Sequence, residues 1–398
     1  MKSPLFQRVF WSAHERGADL TRAFAAYAVT RVAFAVFVWL TGHHYDCGRA
    51  GCLDRGFVPN NFLLNGLFQW DALHYWQLIR RGYYVGENYD TTAPFFPGFP
   101  MLAWLVGRLF GASLVGGIVL NHLCSIAGAF GIARLSRHLG IGENVDEGSR
   151  SAVARDSTLF WLASPLTIFF CVFLSESLFA SLSVFVMLGI VTRRYWMVLV
   201  AGVLLTCTRN SGIFVIACAA LLAFERRHEF RLSSRGWVAL ALTPIGLLAF
   251  MLYEQLKLGD PLAWVHDQVR WNRFLTTPWR TVADAWYGIP PLNERKVDAM
   301  YPTQELLALA ITAPLFLLRG RLRIPWSILV LGIGEWMIPL LSHALFSASR
   351  YQAGNLYFAL AIPAVLANRP TLRALCWMLF GMVIAWYLST FPFGVWAS

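Results

Sequence analysis

The sequence predicts an all-α, polytopic membrane protein, and three observations predict it. Of its 398 residues, 57% are hydrophobic and only 14% are charged. The apolar residues gather into long runs, such as 23–40, 237–252 and 324–341, instead of recurring at helical spacing. Each run is long enough, with some tilt, to cross a hydrocarbon core of about 30 Å. The basic residues fall in short segments between the runs, as the positive-inside rule expects. Backbone groups cannot go unpaired in lipid, so the runs are helices or barrel strands. Their continuity excludes the alternation of barrel strands.

The net charge of +11 is carried by 30 Arg and three Lys against 22 acidic residues. Its placement argues against nucleic acid, and the Arg bias suggests a GC-rich bacterial genome. The chain reads as one integral domain over residues 1–398. Residues 1–22 are basic and inside, and span 1 (23–42) resembles a retained signal anchor. The first large loop, 43–112, faces the extracytoplasmic side. Its segment 95–110 begins Phe-Phe-Pro-Gly-Phe-Pro and carries Arg108, so it is expected to lie along the interface as a short helix. Span 2 (113–133) leads to an inside loop, 134–156. Spans 3 and 4 (157–174 and 178–191) return the chain to Arg193-Arg194. Spans 5 and 6 (195–207 and 211–224) turn at Thr208-Arg209-Asn210. Span 7 (237–256) opens the second large outside loop, 257–302. Spans 8, 9 and 10 turn at Arg319–Arg323, Ser349-Arg350-Tyr351 and Arg369, and span 11 ends outside. Segments placed inside hold 19 basic residues, while the two longer outside loops hold 5 and 6. Eleven spans, with interfacial helices in the first outside loop, satisfy that asymmetry.

The chemistry concentrates in Trp70-Asp71-Ala72-Leu73-His74-Tyr75. Asp71 and His74 are three apart and share a face if the segment is helical. Asp is also a favoured N-cap, so spacing alone leaves Asp71 open between a cap and a catalytic base. Taken alone, His74 reads as a hydrogen-bonding residue. Metal-ligand spacing, Walker motifs and dinucleotide glycine motifs are all lacking. Glu176, in Ser175-Glu176-Ser177, falls at the outer end of spans 3 and 4, where an ionisable group is either functional or water-exposed. Arg209, followed by Asn210, interrupts an otherwise apolar run, and broken helices at membrane depth border sites. A guanidinium there can grip a phosphate. Arg350-Tyr351 is similarly placed. Glu335, inside span 9, is expected to pair with a buried base. Cys47 and Cys52 lie in the outside loop, where an oxidising compartment permits a disulfide. The other five cysteines fall within spans as packing residues.

The ordered elements WDALHYWQLIRRGY, APFFPGFP, SPLTIFFCVFLSESLFASLS and TRNSG resemble the PIG-V-like mannosyltransferase family, and DPLAWVHDQVRW and SRYQAGNLYFALAIP fit its pattern. The matches run from about residue 68 to 366. The resemblance implies a GT-C glycosyltransferase fold with its active site at the extracytoplasmic surface; the Arg-rich composition, not the resemblance, places it in a bacterial cytoplasmic membrane. The resemblance also implies a polyprenyl-phosphate-linked donor, usually of mannose, inversion at the anomeric carbon, and a lipid or glycan acceptor. The family's acidic residue in the first outside loop falls on Asp71 as base. Arg209 and Arg350 then hold the donor phosphate. Trp70, His74 and Tyr75 orient sugar or acceptor, Glu176 holds a sugar hydroxyl or an arginine, and Gln268 and Trp271 close over the acceptor. A lipid-phosphate leaving group has no diphosphate to neutralise, so no cofactor is required and dependence on a divalent metal stays open. A lipid transporter or flippase, the rival reading, would share the spans and buried charges but should show inverted repeats, and the sequence has none. A non-catalytic assembly subunit would tolerate replacement of Asp71 and Arg350.

Overall fold

A computed structural model describes residues 21–36 except 22, 23 and 26; residues 67–287 except 69, 88, 89, 144, 145 and 230; and residues 300–390 except 344, 346 and 347. Among these residues the chain is helical, with a single isolated bridge between Val85 and Thr91. The segment holding Cys47 and Cys52 lies outside the described residues, as do parts of both large loops.

The helices are α1 (Tyr27–Val36), α2 (Ala72–Arg81), α3 (Gly98–Gly107), α4 (Ser113–Leu139), α5 (Glu147–Ala163), α6 (Glu176–Thr192), α7 (Tyr195–Thr208) and α8 (Gly212–Glu225). They continue with α9 (Ser234–Leu242), α10 (Ile245–Leu258), α11 (Pro278–Trp286), α12 (Met300–Thr312), α13 (Trp326–Leu341), α14 (Ala348–Ala353), α15 (Leu356–Leu366) and α16 (Pro370–Thr390). α6 is the centre of the bundle and is buried along almost its whole length. α4 and α7 flank it, and α8 packs on it from the far side of the Arg209 break.

The segment expected to lie at the interface is a helix of 10 residues, about 15 Å long. It folds back on α4 through small residues. A Cβ on Gly116 would sit 2.2 Å from the Gly107 backbone nitrogen and 2.4 Å from the Ala103 carbonyl oxygen. Backbone cannot yield as a flexible side chain can. Gly116→Ala is therefore expected to destabilise the protein by about 1–3 kcal/mol. The readout is the thermal midpoint in detergent, and an unchanged midpoint would contradict this close seating.

Spans 4, 5 and 6 match α6, α7 and α8 to within two residues. The second and third differ. α4 continues six residues past the expected end at 133, because Leu135, Ser136 and Leu139 stay buried while Arg134 is exposed and His138 half-buried. The expected inside loop 134–156 is thus largely helical. α5 begins within it, capped by the Asp146 side chain, which accepts from the Ser149 backbone nitrogen at 2.9 Å. The expected span 157–174 is broken. Pro165 pushes Ser164 into extended backbone, α5 ends there, and a 3-10 turn, Pro165–Phe170, follows. The turn and the irregular stretch after it are buried, with Phe169, Phe170 and Phe173 at most 1% exposed. Buried irregular backbone must find partners. Asn121 of α4 supplies them, its Nδ2 donating to the carbonyls of Val172 and Leu174, the latter at 2.8 Å. Cys171 directly follows the 3-10 turn, outside any helix, while the other described cysteines fall on helices.

Among the described residues, two helices are long and apolar enough to cross a bilayer by length and composition: Ser113–Leu139 and the Pro244-interrupted Ser234–Leu258. The other apolar helices run 10–17 residues, α16 being counted over Pro370–Ala385. Several turn apolar stripes outward. On α10, Ile245, Leu248, Leu252 and Leu256 are exposed at helical spacing, and on α16 so are Leu375, Met378, Leu379 and Met382. A water-facing helix would carry polar residues there.

Candidate active site

Four charged side chains from four separate elements meet at one end of the bundle. α2 contributes Asp71 at its N-cap position, but the side chain makes no capping hydrogen bond. Instead of capping the helix, its Oδ2 accepts from Nη1 of Arg350 at 2.5 Å. Trp70, just before it, holds φ at +50°. That left-handed backbone is costly for a bulky residue and clusters at functional sites. α14 presents Arg350, whose Nε donates to Oε1 of Glu176, the first residue of α6. The break between α7 and α8 brings Arg209, whose Nη1 donates to the same Oε1 at 2.8 Å. The result is a chain Asp71–Arg350–Glu176–Arg209. The Glu176 and Arg350 side chains are 2% and 5% exposed, while Asp71 at 26% is the open end. Arg209 also stacks over the Tyr351 ring at 5.2 Å.

Burial pushes the Asp71 carboxyl up, but the charges of Arg350, Arg273 and His74, with the Arg350 hydrogen bond, win and hold it at about 2. Asp71 is therefore ionised at any physiological pH. Tyr75 goes the other way, to about 12, through burial and the negative charge of Glu176. It keeps its proton and donates to Ser175 Oγ at 3.0 Å.

These groups face a cavity of about 560 Å³. Asp71, Tyr75, Arg209, Asn210, Arg350 and Tyr351 line it from the bundle side. Gln268 and Trp271, expected from the second outside loop, line it from above, with Phe95, Phe96 and Trp264 completing an aromatic wall. Eight of the expected site residues thus share one cavity.

Three expected residues lie elsewhere. His74 is behind the wall, its Nδ1 3.1 Å from the Thr91 carbonyl oxygen and its ring stacked on Phe95 at 4.6 Å. Burial holds its pKa below the usual histidine value, which suits a packing residue. Trp70 packs on the core. Glu176 lines a separate, water-sized cavity with Glu335. Both Glu335 oxygens have no hydrogen-bond partner among the described residues, and the side chain is buried on α13. The expected pairing with a buried base is therefore not made. An unpaired buried carboxylate is destabilising, so Glu335→Gln is expected to raise the thermal midpoint. A lowered midpoint would show that the charge is needed.

Arg273 lines the cavity and acts on Asp71 and Tyr351, and the sequence reading missed it. Arg270, three residues earlier, is tied to Asp267, and Asn272 at φ +52° turns the chain between them. Nothing in the sequence distinguishes the two arginines, although an Asn before an Arg in a short polar loop is compatible with such a turn.

No protein-family model and no curated protein matches the chain, so the PIG-V-like resemblance rests on the motifs alone. Solved structures do match. The archaeal oligosaccharyltransferase AglB from Archaeoglobus fulgidus, in complex with an inhibitory peptide and a dolichol-phosphate, aligns at 12% identity and a TM-score of 0.48, covering 97% of this chain and 56% of that one. The oligosaccharyltransferase of the same organism, in its apo form, aligns at 13% identity and a TM-score of 0.37, covering 84% and 54%. The chain spans about half the length of these neighbours. At such similarity the chemistry has to come from this site's own geometry.

That geometry offers an ionised carboxylate at the mouth, guanidiniums beside it, and an aromatic wall opposite. A carboxylate can take a proton from a hydroxyl. Paired guanidiniums suit a phosphate.

Proposed function

We propose that this protein is a bilayer-embedded glycosyltransferase that moves a hexose from a polyprenyl-phosphate donor to a lipid or glycan acceptor. The observation that carries this reading is the placement of Asp71 and the two Glu176-bridged arginines on one wall of a single cavity. Asp71 accepts the acceptor's hydroxyl proton as its oxygen attacks the anomeric carbon. The phosphate leaves toward Arg350 and Arg209, with Arg273 nearby. The sugar lies against Trp271 and Trp264, and the prenyl tail lies against apolar helix faces. The outward apolar stripes of α10 and α16 support immersion in lipid, the charge asymmetry of the loops favours the orientation, and the Arg-rich composition favours a bacterial cytoplasmic membrane. The motif resemblance favours mannose and an extracytoplasmic site. The leaving group is a phosphomonoester facing arginines, so transfer is expected to persist in excess EDTA; loss restored by a divalent cation would refute this.

The test is purified protein in liposomes carrying native lipids and a radiolabelled polyprenyl-phosphate mannose. Label appearing in a new lipid or glycan supports the proposal. Label reaching the opposite leaflet on unchanged donor would make the protein a flippase.

A further inference from the structure

In the transfer proposed above, a reading on which this inference depends, Arg350 stands between the two places where negative charge resides. One end of its fork is held by Glu176, which is almost fully buried, and the other by Asp71, the most open member of the chain. The same side chain borders the cavity. In the reaction the acceptor O–H gives its proton to Asp71 while its oxygen bonds the anomeric carbon. The bond from that carbon to the phosphate oxygen breaks, and its electron pair stays on the phosphate. Asp71 passes from carboxylate to neutral acid, and the phosphate passes from a singly charged diester to a monoester with a second acidic oxygen. One negative charge therefore moves from Asp71 to the phosphate, with no oxidant or further reactant.

We propose that Arg350 follows that charge: its pairing with Asp71 gives way to pairing with the donor phosphate as the donor seats, so that Asp71 becomes an effective base only in the donor complex. Four observations support this. A carboxylate locked to a guanidinium is a weak proton acceptor, and Asp71 is so locked. Glu176 anchors Arg350 from the other side, so releasing Asp71 does not set the arginine adrift. Glu176 also holds Arg209 through the same oxygen, which brings two like charges together at a spot that a phosphate would relieve. Finally, Glu176 Oε2 has no hydrogen-bond partner among the described residues and is available to a re-aimed arginine. The donor then acts as the switch, and an acceptor entering first meets an unreactive site.

The experiment measures binding of farnesyl phosphate to the purified full chain in detergent. It compares wild type, Asp71→Asn, Arg350→Gln and the double variant, each checked for folding by its thermal midpoint. Removing the Asp71 charge should free Arg350 and tighten binding about tenfold, and Arg350→Gln should weaken it at least tenfold. In the Arg350→Gln background, Asp71→Asn should add less than twofold. If Arg350→Gln does not fold, Arg350→Lys is used as the background; it keeps a cation beside Glu176 but lacks the fork, and the Asp71→Asn gain should shrink there too. A full gain persisting without the fork would reduce the effect to general charge repulsion and overturn the handover. No gain in the wild-type background would overturn it as well. Absence of binding to folded wild type would instead remove the lipid-phosphate donor reading.

Discussion

Asp71→Asn is expected to abolish transfer, lowering the rate by about 10²–10⁴-fold, while the protein stays folded and still binds donor. The amide keeps the shape of the side chain and can still meet a neighbour, but it cannot accept a proton. Asp71 caps no helix and is the most open member of its charge chain, so its loss removes little packing. The measurement is a single-turnover transfer rate alongside a thermal midpoint. Near-normal turnover would exclude Asp71 as the base. A large fall in midpoint would make it a structural residue.

The second large effect is expected at Glu176, and there it is on stability. Glu176 is the shared counter-ion of Arg209 and Arg350, through one oxygen. Glu176→Ala leaves two guanidiniums side by side in a buried setting, with Asp71 the remaining ion-pair partner among the described residues. Breaking a buried pair by removing one partner costs about 3–5 kcal/mol. The variant is expected to lose most of its folded yield in detergent, and Glu176→Gln, which keeps a hydrogen-bonding oxygen but not the charge, is expected to fall between it and wild type. Unfolding midpoints of the three proteins check the order. A Glu176→Ala protein as stable as wild type would mean that the arginines find other partners.

Much of this site can be read from sequence, because ionisable residues are conspicuous in a chain so poor in charge. Asp71, Glu176, Arg209 and Arg350 each interrupt apolar surroundings, and all four converge. The same logic fails inside a polar loop. Arg273 looks no different from Arg270 in the sequence, and only the turn at Asn272 separates their directions. His74 takes the hydrogen-bonding role read from the residue alone, not a place on the cavity wall. Its three-residue spacing from Asp71 places it on the right face of α2, but the Thr91 carbonyl and the Phe95 ring draw it behind the wall. Helix ends follow the same pattern. Arg193-Arg194 and Thr208-Arg209-Asn210 mark real turns, so α6, α7 and α8 are legible. The charges of Arg134, Arg137 and His138 mimic a loop although α4 runs on beneath them. Pro165, which ends α5, is a visible stop signal that the length of the apolar run obscures.

The most direct measurement is the anomeric configuration of the product formed in one turnover from a donor of defined configuration. A single carboxylate acting as base, with the phosphate leaving from the opposite face, predicts inversion. Retention would require a covalent glycosyl intermediate or a second nucleophile and would contradict Asp71 as the base of a single displacement.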